Sequence, residues 1–297
     1  MSIEVNHLKK IYGTQWALDD VSFSIGSGGV VGFLGPNGAG KSTTMKIITG
    51  YISATSGSVK VCGIDVQDEG LEARRKIGYL PENNPLYTEM YVREYLSFTA
   101  RIYGLENRNS RVNEIIDLVK LTPESDKKIK QLSKGYRQRV GIAQALIHDP
   151  EVLILDEPTS GLDPNQLEDI RSLIREIGRH KTVLLSTHIM QEVEAICHRA
   201  IIIHKGKIVS DNPLGEKSNE RQVYVEFTAA VSLDDLQKIP AVVHIISDGK
   251  GWLLSGNGGP EFQSAIIRHA QNQAWDIVSI TPKEKRLEKL FKELTRE

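Results

Sequence analysis

Short apolar runs without polar alternation recur along the chain, and between them lie stretches whose apolar positions return at helical spacing. Val30-Val31-Gly32-Phe33-Leu34, Val152-Leu153-Ile154-Leu155 and Thr182-Val183-Leu184-Leu185-Ser186 read as buried strands. The segments beginning at Thr43 (TTMKIITG) and Val140 (VGIAQALIHD) read as helices, and Val92, Tyr95, Leu96, Thr99 and Tyr103 fall on one helical stripe. Strand-like runs alternating with helical ones predict an α/β fold, a largely parallel sheet flanked by helices.

The pattern breaks at the polar residues 215–221 (GEKSNER) and starts afresh after them. A boundary there divides the chain into 1–216 and 222–297. In the second part a strand at Val223-Tyr224-Val225-Glu226-Phe227 precedes a helix capped by Ser232. Two strands follow around an Asp248-Gly249 turn, then a helix in PEFQSAIIRHAQ and a strand in DIVSI. Thr281-Pro282-Lys283-Glu284 matches a capping box for a final helix with Leu287, Leu290, Phe291 and Leu294 on its apolar stripe. The order strand-helix-strand-strand-helix-strand predicts a small ferredoxin-like α+β unit. It contains no catalytic constellation, which favours a dimer-stabilising or regulatory accessory.

Chemistry enters directly after the first buried strand. Gly35-Pro36-Asn37-Gly38-Ala39-Gly40-Lys41-Ser42 spells the phosphate-binding loop G-x-x-x-x-G-K-[ST]. Its glycines let successive N–H groups of Asn37, Gly38, Ala39 and Gly40 converge on one anion. Lys41 reaches the β- and γ-phosphates, Ser42 offers a hydroxyl to Mg²⁺, and the helix from Thr43 turns its positive end to the anion. A chance match has odds on the order of one in a hundred, and the flanking strand and helix lower them. The rival dinucleotide-binding loop requires no lysine. The chain is therefore expected to bind ATP or GTP.

The strand at 152–155 ends in Asp156-Glu157, a Walker B pattern. Asp156 is a hard oxygen ligand for Mg²⁺, and Glu157, leaving the strand on its other side, is placed to orient or deprotonate the attacking water. Between the two nucleotide motifs stands Leu132-Ser133-Lys134-Gly135 at the start of a helix. Ser160-Gly161-Leu162-Asp163 follows the carboxylates, and His188 follows the third buried strand.

Leu-Ser-x-Gly opening a helix before a Walker B strand resembles the signature motif of the ATP-binding cassette (ABC) ATPases. The 160–163 segment is similar to their D-loop, His188 to their switch histidine, and Tyr12 in KKIYG to the aromatic that stacks on adenine. The resemblance implies a phosphate-loop fold with a helical subdomain. It also implies a head-to-tail homodimer in which Ser133 and Gly135 face the γ-phosphate held by a second subunit, with Asp163 near the shared site, His188 on the γ-phosphate, and Mg²⁺ as cofactor. Glu82 stands where the family usually has glutamine after Tyr-Leu-Pro. A carboxylate can ligate Mg²⁺ but cannot donate as an amide does, so Glu82 is a further candidate for the metal. Lys134 and Tyr136 also depart from the common signature.

Charge and composition narrow the partners. Lys and Arg (37) nearly cancel Asp and Glu (38), so no basic field points to nucleic acid. Cys62 and Cys197 have no paired spacing, which fits a reducing cytosol. The N-terminus has no apolar signal core and no stretch reaches 18 apolar residues, so the chain itself is not expected to cross a membrane. Within the ABC ATPases, the segment 77–87 through MYVREYL, with QLSKGYRQRVG and STHIMQEVEAIC, resembles the ATP-binding subunit associated with gliding motility. That likeness implies export through a separate membrane-spanning permease, with this chain peripheral at the cytoplasmic face. The aromatics between 83 and 103 offer a groove for a partner helix, although part of them must pack internally. A soluble ABC clamp on nucleic acid or ribosomes is the alternative, but the chain has neither a second cassette nor a coiled-coil insertion.

Overall fold

The uninterrupted apolar runs become strands because the sheet they build is covered on both faces. The computed structural model describes residues 1–214, 220–229, 231–240, 242–257 and 261–282, and the chain divides into two compact units, Met1–Leu214 and Gly215–Glu297. In the first unit β1 (Ile3–Tyr12), β2 (Gln15–Ile25), β3 (Gly29–Leu34) and α1 (Lys41–Ile48) are followed by β4 (Ser56–Val61), β5 (Ile64–Asp65), α2 (Gly70–Arg75) and β6 (Ile77–Leu80). Helices α3 (Val92–Ile102), α4 (Arg108–Leu118) and α5 (Lys134–Leu146) then precede β7 (Val152–Asp156), α6 (Pro164–Gly178), β8 (Thr182–Thr187), α7 (Met190–Ile196), β9 (Arg199–His204) and β10 (Lys207–Pro213). No described helix is long and apolar enough to cross a membrane.

The central sheet runs β10-β9-β3-β8-β7-β6, with β9 to β6 parallel and β10 antiparallel at one edge. A second, antiparallel sheet, β2-β1-β4-β5, lies in the same unit; the pattern of apolar runs had not indicated it. Side chains alternate along a strand, so each central strand feeds two cores. Leu153, Leu155, Val183 and Leu185 pack with residues of α3 to α6, whereas Val152, Ile154, Leu184 and Phe33 join the antiparallel sheet and α1. The register pairs Leu34 with Thr187 and Asp156 with Ser186. The loops after β3, β7 and β8 therefore leave from one edge, the carboxyl edge at which parallel sheets hold ligands.

In the second unit β11 (Glu220–Phe227), α8 (Leu233–Leu236), β12 (Val242–Asp248), β13 (Gly251–Asn257), α9 (Glu261–Asn272) and β14 (Ile277–Pro282) follow in order. The sheet order is β12-β13-β11-β14, all pairs antiparallel. Ser232 caps α8 by accepting from the Asp235 N–H, and Asp248 pairs with Gly251 across the turn. Val223, Val225, Leu254, Phe262 and Ile266 form its core. Thr281 and Pro282, expected to open a helix, are instead the last residues of β14, where they register with Tyr224 and Val223; the ladder to β11 takes them first. The rest of that expected helix, 283–294, and residues 215–219 of the expected linker lie outside the described residues.

Candidate functional site

The phosphate loop spans the gap between Leu34 at the end of β3 and Lys41 at the start of α1. It begins with the Gly35 N–H on the Thr187 carbonyl, 3.3 Å away, which ties it to the end of β8. Gly40 caps α1 at φ 109°, a conformation that L side chains rarely adopt, and a Cβ there would lie 2.7 Å from Leu18 Cδ2 and 2.9 Å from the Ala17 carbonyl. The loop thus lies against the β1–β2 hairpin. Ala39 is buried, Asn37 and Gly38 are exposed, and Ser42 and Thr43 are half-buried in the first turn of α1, where the free N–H groups of the helix gather. The Lys41 ammonium, only 6 % exposed, donates to the Gly35 and Pro36 carbonyls at 2.7 and 3.2 Å.

Lys41 also meets Glu157 Oε1 at 3.5 Å. Simple strand alternation predicts that Glu157 departs from the opposite side to Asp156. The strand in fact ends at Asp156, and Glu157 takes a left-handed φ of 51°, which costs a non-glycine residue about 1–3 kcal/mol. Its N–H is held by the Ser186 hydroxyl at 3.0 Å and the Ser186 carbonyl at 3.2 Å. That turn keeps both carboxylates at the phosphate loop: Asp156, 1 % exposed, accepts from Ser42 Oγ at 3.2 Å and from Ser186 Oγ, while Glu157, 8 % exposed, faces Lys41. His188 places Nδ1 3.0 Å from both Glu157 oxygens. With Nδ1 so occupied, Nε2 is the nitrogen left for a phosphate.

The Ser42 hydroxyl and the Asp156 carboxylate are hard oxygen donors side by side, and they fit Mg²⁺, which takes one or two protein ligands and completes its shell with water and substrate phosphates. Glu82 is exposed beyond the end of β6, and among the described residues no three His, Cys, Asp or Glu side chains gather into a metal-binding group. The charges of Asp156 and Glu82 both act on the Tyr79 phenol. Beside them, burial and then the Asp156 charge push the Tyr79 phenol well above its usual range, and its hydroxyl has no hydrogen-bond partner among the described residues.

Three of the expected residues have local duties. Ser133 caps α5, accepting from the Tyr136 N–H at 3.4 Å. Asp163 caps α6, accepting from the Asn165 and Gln166 N–H groups at 3.1 and 2.9 Å. Gly135 lies against α6, since a Cβ there would be 2.5 Å from Gln166 Oε1. Tyr12 is 51 % exposed, with the Lys10 ammonium 5.0 Å from its ring. Tyr12 registers with Gln15 near the turn between β1 and β2, and Lys10 registers with Leu18, whose side chain reaches Gly40.

Residues 18–160 match the ABC transporter family. Over 227 residues the chain is 37 % identical to the bacitracin transport ATP-binding protein of Bacillus licheniformis, spanning 76 % of this chain and 74 % of that one. The chain belongs to the ABC transporter ATP-binding family. This ABC ATPase is also 39 % identical to the Nod factor export ATP-binding protein I of Burkholderia pseudomallei, across 70 % of each chain. A dimeric ATP-binding cassette solved in a post-hydrolysis state with ADP and Pi covers 72 % of this chain and 99 % of its own, with 28 % identity and a TM-score of 0.66. The family hydrolyses ATP, and this chain is an ATPase.

Sequence reasoning missed Ser186, Thr159, Thr187 and Glu192 in this ABC site. Ser186 bonds both Asp156 and the Glu157 N–H. Glu192 carried a readable signal: it falls between Met190, Val193 and Ile196 on the buried stripe of α7, where an apolar residue is expected.

Proposed function

We propose that this ABC ATPase powers an exporter whose membrane-spanning permease is a separate chain, and that two copies close head to tail around two ATP molecules. The convergence of Lys41, Ser42, Asp156, Glu157 and His188 at one sheet edge carries the hydrolytic half of this reading. In hydrolysis the loop N–H groups and Lys41 hold the phosphates, with Lys41 exchanging its carbonyl partners for the β- and γ-oxygens. Ser42 and Asp156 would hold Mg²⁺, which would supply charge neutralisation for those phosphates. Glu157 accepts the proton of the water attacking the γ-phosphorus. His188 keeps Nδ1 on Glu157, fixing the carboxylate, and turns Nε2 to the γ-phosphate. Ser133, whose hydroxyl among the described residues bonds only at the start of its own helix, serves the nucleotide of the second copy, with Gly135 and Asp163 at the same junction. Tyr12 stacks on adenine. The dimeric post-hydrolysis cassette supports the pairing.

Export rests on the relatives, a bacitracin transport protein and a Nod factor export protein. The likeness of 77–87 to the gliding-motility subunit makes that exporter class the first to test. Tyr87, Tyr91 and Phe98 are exposed beside α3, and Tyr87 meets Tyr95 and Phe98 edge-on or tilted at 5.8 and 6.0 Å, a patch suited to a permease helix. Tyr95, Val92 and Leu96 are buried beneath it. The second unit, 222–297 by the sequence boundary, is read as a ferredoxin-like accessory, which its strand order supports. Co-purification from detergent-solubilised membranes tests the proposal. A membrane protein recovered with the chain is expected; recovery of ribosomes or nucleic acid instead would overturn export.

A further inference from the structure

Glu192 is fully buried, 0 % exposed, on a helix face otherwise given to Met190, Val193 and Ile196. A side chain there needs only to be apolar for the core to close. A buried carboxylate is costly unless its oxygens are bonded, and among the described residues those of Glu192 meet hydroxyls rather than a cation. Oε1 accepts from Thr159 Oγ1 at 2.6 Å and Oε2 from Thr187 Oγ1 at 2.6 Å. Thr159 and Thr187 are buried as well.

The two hydroxyls belong to the two loops that carry the hydrolytic groups. Thr159 lies two residues beyond Glu157, and its carbonyl accepts the Leu162 N–H at 3.3 Å, which sets the turn leading to Asp163. Thr187 immediately precedes His188. A hydroxyl has one proton and two lone pairs. Because Thr187 spends its proton on Glu192, its oxygen is free to accept the Ile189 N–H at 3.0 Å. One hydroxyl, oriented by Glu192, thus pins the backbone on both sides of His188. Across the carboxylate the same side chain fixes the segment after Glu157, whose left-handed backbone needs outside support.

We infer that Glu192 is a positioning residue for ATP hydrolysis, clamping the Thr159 and Thr187 hydroxyls so that the Glu157 carboxylate and the His188 ring meet in register. The inference rests on the roles proposed above for Glu157 and His188.

Glu192→Gln tests it with little change of volume. The amide nitrogen can only donate, so one threonine proton loses its acceptor and the clamp opens on that side. Misplacement of the hydrolytic pair is expected to lower kcat on the order of 10- to 100-fold, with KM for ATP within about threefold, because the phosphate loop is untouched. In a His188→Ala background the same substitution should slow single-turnover hydrolysis clearly less than in the parent, since the ring to be positioned is gone and only the Thr159 side of the clamp still acts on Glu157. Glu157→Gln and His188→Ala are assayed alongside. If neither slows hydrolysis, the proposed roles of those residues fail. If both slow it and Glu192→Gln leaves kcat at the parent value, the clamp alone fails. An equal loss in both backgrounds, with a lowered melting temperature, would make Glu192 merely structural and overturn the inference. Should Glu192→Gln not fold, Thr187→Val removes the same link with nearly the same shape. It is expected to give the same kcat loss at unchanged KM, and parental kcat in the folded fraction would overturn the clamp.

Discussion

Replacing Glu157 by glutamine removes a charge and a base while changing almost no geometry. The glutamine oxygen can still accept from His188 Nδ1 at the 3.0 Å the carboxylate holds, and the bonds from Ser186 run to the backbone N–H, which the substitution leaves in place. Lys41, now 3.5 Å from Glu157 Oε1, loses its anionic neighbour but keeps the Gly35 and Pro36 carbonyls. A phosphate then meets a less neutralised lysine, so ATP affinity should hold or rise by up to about tenfold, roughly 1.4 kcal/mol. Turnover loses its proton acceptor and should fall by about 10²- to 10⁴-fold, roughly 2.7–5.4 kcal/mol in the barrier. Phosphate release in a single turnover reads the second effect, and equilibrium binding reads the first. Because bound ATP persists, size-exclusion chromatography should reveal a stable dimer with ATP and a monomer with ADP. Adding Ser133→Arg should abolish that dimer by placing bulk and charge at the shared site. Hydrolysis within tenfold of the parent would refute Glu157 as the base, and an ATP-dependent dimer in the double variant would refute the head-to-tail arrangement.

Glu82→Gln should keep basal hydrolysis within about tenfold, since Glu82 is exposed beyond the end of β6; a loss of several hundredfold would move the catalytic carboxylate to Glu82. A fragment of residues 1–218 should fold and bind ATP, because the phosphate loop, both carboxylates and His188 belong to the unit ending at Leu214; a monodisperse fragment without nucleotide binding, measured by calorimetry, would overturn the division. Burial holds the His148 imidazole below its ordinary 6.5, against a smaller opposing pull from the Ile77 carbonyl, and its Nδ1 has no hydrogen-bond partner among the described residues. A base depressed in the folded state contributes stability that is whole above its unfolded value of 6.5 and is lost as pH falls below that towards and through the lower folded value. Melting temperature should therefore drop between about pH 7.5 and about pH 5.5, and less so in His148→Phe, which can retain the stack on Tyr103. An equal drop in both proteins would remove His148 from the acid response.

What the sequence by itself determined is what local chemistry dictates. The glycines of the phosphate loop, its lysine and serine, the aliphatic run ending in Asp156-Glu157, and the capping residues Ser133 and Ser232 each act within a few residues of themselves, so spacing alone makes them legible. Continuous apolar runs also announced strands buried on both faces, because such a strand has no side left for polar residues.

Tertiary structure decided whatever depends on partners far along the chain. The antiparallel sheet that joins β1 to β4 pairs Val5 with Val59, a contact that no local period encodes. The direction of Glu157 escaped the alternation rule because one left-handed residue, braced by Ser186 from another strand, turns it back toward Lys41. Thr281 and Pro282 carry a helix-opening signal that the ladder to β11 overrides. Glu192 reads as a misplaced charge on an apolar stripe until the fold brings Thr159, 33 positions away, to its carboxylate. A buried polar group takes its meaning from whatever satisfies it, and only the assembled fold supplies that partner.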